Sequence, residues 1–141
     1  MNSPAGPWKV AYEAVLRASA ALRTAMDLPQ ARIYTDVPEK AKLPYVVIGD
    51  DQVIPESGEG CADEAEIFTT INLWSRTAPP DKGVQARAMG AAVIAALATD
   101  LAVAGWDVDV WEVQSERYST DPDQSTHGVI VFRHLLTEQV A

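Results

Sequence analysis

The run Glu64-Ala-Glu-Ile-Phe-Thr-Thr-Ile-Asn-Leu-Trp-Ser-Arg76 decides the fold. Side chains alternate across a strand, so Ile67, Thr69, Ile71 and Leu73 share one face. Phe68, Thr70, Asn72 and Trp74 share the other. Large apolar groups stand on both faces, which predicts a strand at least partly covered on both sides. Upstream, Tyr45 to Ile54 is β-branched and bounded by prolines, and reads as a second strand bent near Gly49. Pro55 to Asp63, with two glycines, acids and Cys61, reads as a mobile surface loop between the two.

Further towards the N-terminus, Arg32 to Thr35 is a short strand and Asp36 to Pro44 a loop. From Pro7 to Asp27, Trp8, Tyr12, Val15, Leu16, Leu22 and Met26 recur at helical spacing. That pattern predicts one amphipathic helix, ended by Asp27-Leu-Pro29, because proline disfavours helix in the residue before it.

Downstream, Thr77 to Gly83 is a turn with two prolines, and Val84 to Leu101 is an alanine-rich helix. Its Ala88, Ala91, Ala92, Ala95 and Ala96 permit close approach to a sheet or another helix, while Val93, Ile94, Leu97 and Leu101 supply bulk. After Gly105, Trp106 to Tyr118 alternates as a strand but changes phase. A bulge near Val110 explains the change, and so does a strand covered on both faces. Ser119 to Thr126 is a polar turn and His127 to Glu138 the last strand. The order α-β-β-β-α-β-β predicts an α+β fold, with an antiparallel or mixed sheet of about five strands flanked by two helices. No linker divides residues 1–141, so a single domain is expected.

Composition narrows the function. An apolar fraction of 48% and a charged fraction of 22% allow an ordinary packed core. The formal charge of -9 disfavours general binding to phosphate backbones, though it does not stop DNA from passing close by. Met1 to Trp8 has no basic region followed by an apolar run, so no signal peptide is expected. No apolar stretch approaches the roughly 20 residues that span a bilayer, and the chain is expected to reside first in the cytoplasm without a membrane partner.

Candidate chemistry is sparse. His127 and His134 lie seven apart on one strand, so a regular strand puts them on opposite faces, unable to share a metal. Ser75 and Ser125 sit in no Gly-x-Ser-x-Gly elbow. Cys61 lies among Glu59, Asp63 and Glu64, which disfavour a thiolate. Asp121-Pro-Asp-Gln-Ser lacks the central Gly and distal Glu of a calcium loop and reads as a β-turn. No catalytic residue, cofactor site or metal site is expected. Trp74 and Trp106 read as core; Trp8 and Trp111 could be core or could lie at a subunit contact.

Four segments taken in order carry a resemblance. Asp36-Val-Pro, Pro44-Tyr-Val-Val-Ile-Gly-Asp50, Ile71-Asn-Leu-Trp-Ser-Arg76 and Thr126-His-Gly-Val-Ile-Val-Phe-Arg133 resemble the tail completion proteins of long-tailed phages, prophages and gene transfer agents, also called tail terminator or tail-to-head joining proteins. The resemblance spans almost the whole chain. It implies a virion structural protein that forms a homohexameric ring at the head-proximal end of the tail tube. Its partners would be the major tail tube protein and a head–tail connector or stopper protein. DNA would pass through the lumen without specific binding. It also implies that the chain is no enzyme and is located in the neck of the particle, after synthesis in the host cytoplasm. Contacts to neighbours are expected from the loops, at Asp50, Asp51, Glu56, Glu59, Arg76, Asp81, Lys82, Tyr118, Asp121 and Asp123. Two alternatives stay open: a connector or stopper protein of the same neck, and a small α+β enzyme or ligand-binding domain with a pocket around His127 and Asp121 to Asp123.

Overall fold

The computed structural model describes residues 3–57, 63–76, 83–99 and 101–139. Eight elements follow in order: α1 Ala5–Ala18, α2 Ala20–Met26, β1 Ile33–Tyr34, β2 Tyr45–Ser57, β3 Asp63–Arg76, α3 Val84–Leu97, β4 Trp106–Thr120 and β5 Ser125–Glu138. The strands form one mixed sheet in the order β1-β2-β3-β5-β4. Only β1 runs parallel to its neighbour; every other pairing is antiparallel. The α+β reading and the element order therefore hold, with one change.

That change is at the first helix, which is two helices rather than one. Ser19 leaves helical geometry at φ -70, ψ 111, and its side chain accepts a hydrogen bond from the Leu22 amide at 3.1 Å. Serine is a strong N-cap because its oxygen satisfies an amide that the new helix leaves unpaired. Apolar periodicity continues across the break, which hid it. Asp27, left-handed at φ 56, ends α2 where the sequence placed the stop.

The hairpin arms are longer than the loop reading of Pro55 to Asp63 allowed. β2 keeps pairing with β3 to Ser57↔Asp63, with Pro55 opposite Ala65. Proline is tolerated here because β1 covers β2 only at Val46 and Val47, leaving the outer side of Pro55 at a sheet edge. Cys61 lies outside the described residues.

Both expected strand irregularities are present. β2 carries one extra residue between Ile48 and Asp51. Gly49 is needed there, since a Cβ on it would stand 2.6 Å from the Thr70 carbonyl oxygen. β4 carries two bulges, one between Val108 and Val110 and another between Val113 and Ser115. The first turns Val110 to the face away from the helices, which is the phase change seen in the sequence.

The core lies between the sheet and the three helices, all on one side. Along β3 and β5 every second residue is buried, including Ile67, Ile71, Leu73, Ile130, Phe132 and Leu136. Trp8, Tyr12 and Leu16 of α1 and Met89, Val93 and Leu97 of α3 close over them. Of the alanines credited with close approach, Ala88, Ala91 and Ala95 face solvent. Ala92 is buried and Ala96 packs against the core, and the tightest approach to the sheet is at Gly90. A Cβ at Gly90 would meet the Tyr118 hydroxyl at 1.8 Å and Ile130 at 3.4 Å.

Polar atoms are buried in this layer too. The Trp8 indole donates to the Thr69 hydroxyl at 2.9 Å, and the Tyr12 hydroxyl donates to Asp51 at 3.3 Å. Burial raises the Asp51 carboxyl, against the opposing pull of its bonds from Thr69 and Tyr12. His134 is fully buried, with its ring centroid 4.4 Å from that of Trp8. Neither of its ring nitrogens completes a hydrogen bond. Burial pushes it down to about 4, offset in part by the Leu97 backbone, so it is neutral near pH 7.

Two outcomes are expected. Gly90→Ala forces the Tyr118 ring aside and destabilises by about 1–3 kcal/mol despite the better helix former. Tyr118→Phe in the same chain recovers part of the loss, as read by urea midpoints of the two single variants and the double. Secondly, His134 takes up a proton more readily when unfolded, so its contribution to stability is present above about pH 6.5 and lost as pH falls towards 4. Between pH 7 and pH 5 the parent should lose about 2 kcal/mol more than His134→Leu. Parallel pH dependences for the two would refute it.

Candidate interaction surface

The helices seal one face of the sheet and leave the other without a covering layer among the described residues. On that second face β3 presents Phe68, Thr70, Asn72 and Trp74, and β5 presents His127, Val129, Val131, Arg133 and Leu135. All are half-buried, each shielded by its neighbours on the sheet rather than by a second layer. Trp74, read from the sequence as core, belongs here. Its alternation with the buried Leu73 and Ser75 sends it to the uncovered side.

At one end of this face an aromatic row crosses four strands. Tyr34 of β1, Tyr45 of β2, Trp74 of β3 and His127 of β5 follow one another, with ring centroids 5.8, 5.5 and 4.2 Å apart. Cross-strand register builds it, through the pairs Tyr45↔Trp74 and Trp74↔His127. His127 lies flat on the Trp74 indole, the planes 4° apart, and its Nε2 is 3.0 Å from Asn72 Oδ1. Burial lowers His127, with Asp121 pulling weakly upward, so the ring is mainly neutral at pH 7. This histidine is held by stacking and by an amide. His134 lies on the opposite face, as the odd spacing required.

Below the row runs a groove lined by Lys42, Tyr45, Trp74, Arg76, Asp121, Asp123 and Ser125. Its floor is the β4–β5 turn. Asp123 accepts from the Ser125 hydroxyl at 2.6 Å and from the Ser125 amide at 3.1 Å, and these bonds lower its carboxyl. Gln124 is left-handed at φ 69. Both carboxylates of the turn bond to Ser125, as a β-turn uses them. Among the described residues no group of three or more His, Cys, Asp or Glu side chains is placed to hold a metal ion. Among them, too, no helix is long and apolar enough to cross a membrane.

The contact residues expected from the sequence divide into three sets. Asp50, Glu56, Arg76 and Asp123 are exposed, and Asp121 is half-exposed at the groove. Asp51 and Tyr118 turn inward: Asp51 bonds to Tyr12, while Tyr118 lies against Gly90, bonds to Glu116 and carries Arg87 over its ring at 5.0 Å. Glu59, Asp81 and Lys82 lie outside the described residues. Sequence reasoning missed the aromatic row. Its members are up to 93 positions apart (Tyr34 to His127), and only the strand order puts them side by side.

Comparison with known proteins places this geometry. Among solved structures, the chain is similar to one from the virion of a native gene transfer agent particle. The identity is 22%, the TM-score 0.80, and the match covers 97% of this chain and 99% of that one. A second solved chain is 13% identical with a TM-score of 0.58, covering 97% of each. These likenesses establish the fold. No curated protein sequence matches. The family model for tail completion protein gp17 matches residues 12–137, a span that holds β1 to β4, β5 as far as Thr137, and the aromatic row. On that match, the chain belongs to the tail completion protein gp17 family, structural components of phage-type tails.

Proposed function

We propose that this chain is the subunit of a closed ring, six copies in the family's expected form, that ends the tail tube and joins it to the head. The observation that carries the reading is the family match over residues 12–137. The uncovered sheet face supports it, because a sheet with half-buried Phe68, Trp74, Val129, Val131 and Leu135 has apolar area left to bury on assembly. Closed rings meet that need without leaving an end on which further copies stack. In this reading Asp50 and Glu56 on the β2–β3 arm, and Arg76, Asp121 and Asp123 at the groove, meet the tail tube and the connector or stopper. DNA passes through the lumen, where an acidic chain gives it no hold. The protein acts in the neck of a virion or gene transfer particle by shape and association, with no bond-making step of its own.

The test is tube capping. Purified chain added to polymerising tail tube subunits should stop growth and be seen on tube ends by electron microscopy, as six-fold particles whose mass is confirmed by native mass spectrometry. Binding to isolated connector but not to tubes would transfer the chain to the stopper role. A chain that stays monomeric and leaves tube length unchanged would sink the ring reading. Trp74→Ala, which removes the centre of the aromatic row, is expected to weaken tube-end binding by about tenfold or more while leaving the helical signal intact.

A further inference from the structure

Arg117 of β4 stands on the uncovered face of the sheet. Residues directly opposite in an antiparallel pair share a face. The pairs Ser115↔Val131, Arg117↔Val129 and Ser119↔His127 therefore put Ser115, Arg117 and Ser119 beside the half-buried residues of β5. Over these two strands lies a pocket of about 380 Å³, lined by Ser115, Arg117, Ser119, His127 and Val129. Among the described residues its lining holds one cation, one histidine, two hydroxyls and no acid. The whole chain, by contrast, carries twenty acids against eleven cations.

The acids nearest Arg117 in the sequence are engaged elsewhere. Glu116 pairs with Ile130, on the helix side of the sheet, and accepts from the Tyr118 hydroxyl at 2.6 Å. Glu112 accepts from Gln114 at 2.6 Å and from Arg133 at 3.3 Å. Asp121 serves Ser125 in the β4–β5 turn. Arg117 itself makes no hydrogen bond or ion pair among the described residues, and neither hydroxyl of Ser115 and Ser119 makes a hydrogen bond there. Two other cations of this face are already balanced, Arg133 by Glu66 and Glu112, and Arg76 by Asp123. His127 is fixed by its stacking on Trp74 and its bond to Asn72. A guanidinium presents a planar fork of N–H donors that matches a carboxylate, and serine hydroxyls beside it can donate to the same oxygens.

We propose that this pocket seats one carboxylate, an Asp or Glu side chain of a second copy of the chain, with Arg117 as its counter-ion, Ser115 and Ser119 as flanking donors and Val129 against its stem. The second copy rests on the ring reading above. Charge argues for it: a pocket whose one charged group is a cation meets a partner whose acids outnumber its cations by twenty to eleven. Five residues on two adjacent strands wall one side of a group and do not surround a free small molecule. A side chain delivered by a covering protein needs only such a seat. A nucleic-acid backbone fits less well, because it takes a row of cations, and Glu66 and Glu112 share this face with Arg117.

The test uses the full-length chain and Arg117→Gln, with folding followed by circular dichroism. Self-association is read by sedimentation velocity in sodium chloride and in sodium acetate at the same ionic strength. The parent should associate, and Arg117→Gln should do so on the order of tenfold more weakly. Acetate should weaken association of the parent more than chloride does. In dilute protein, acetate should also move the His127 titration, followed by NMR, to higher pH in the parent and not in the variant, because a carboxylate beside the ring favours its charged form. The groups around that ring are Trp74 and Asn72 of β3, Arg117 and Ser119 of β4, and Asp121 of the turn, and Asp121 is the same in both chains. Equal association of parent and variant overturns the second copy as occupant, and a His127 that acetate does not move overturns the pocket; both leave the ring intact. A His127 that responds to short duplex DNA at lower concentration than to acetate overturns the carboxylate assignment. A parent that stays monomeric overturns the ring reading and the second copy with it, while the acetate response of His127 still decides the pocket.

Discussion

Placing every helix on one side of the sheet is the constraint from which the rest of the structure follows. α1, α2 and α3 pack on that side, and their largest groups, Trp8, Tyr12 and Leu16, are completely enclosed. Fixing α1 there takes more than apolar contact. Its Trp8 indole must find a buried acceptor, and Thr69 in the middle of β3 supplies one. A buried indole N–H without such a partner would cost more than the hydrogen bond adds. That bond, the Tyr12–Asp51 bond beside it and the neutral His134 ring fix where the first helix sits on the sheet.

With the helices so committed, the other face carries no layer from this chain. Its side chains shield one another through cross-strand contacts, Tyr45 on Trp74 and Trp74 on His127 among them, and so stop short of full burial. In a free-standing single domain such a face would be a weakness. In a component of a larger particle it is a surface ready to be covered, and its flat, aromatic character gives contact area at low cost in side-chain entropy.

The acid–base groups fit the same picture. His127 is stacked and amide-bound, His134 is buried and neutral, and Asp121 and Asp123 serve the β4–β5 turn. Each is accounted for by folding, and the family is one of structural tail components.

Alternation in Glu64 to Arg76 and in His127 to Glu138 and the proline and glycine stops were legible without coordinates. The bend near Gly49 was legible from the glycine, while the phase change near Val110 left a bulge and a strand covered on both faces equally open until the pairing was seen. The break at Ser19 was not legible, since one capping serine does not disturb the apolar spacing that runs through it. Local periodicity determined which residues are strand and helix, and which face of each is the more apolar. Only the tertiary structure decided that all the helices share one side, that Trp74 therefore stands outside the core, and that Tyr34, Tyr45, Trp74 and His127 form one row. Strand order is set by long-range pairing, and a sequence pattern with a period of two residues carries no information about which strand lies next to which.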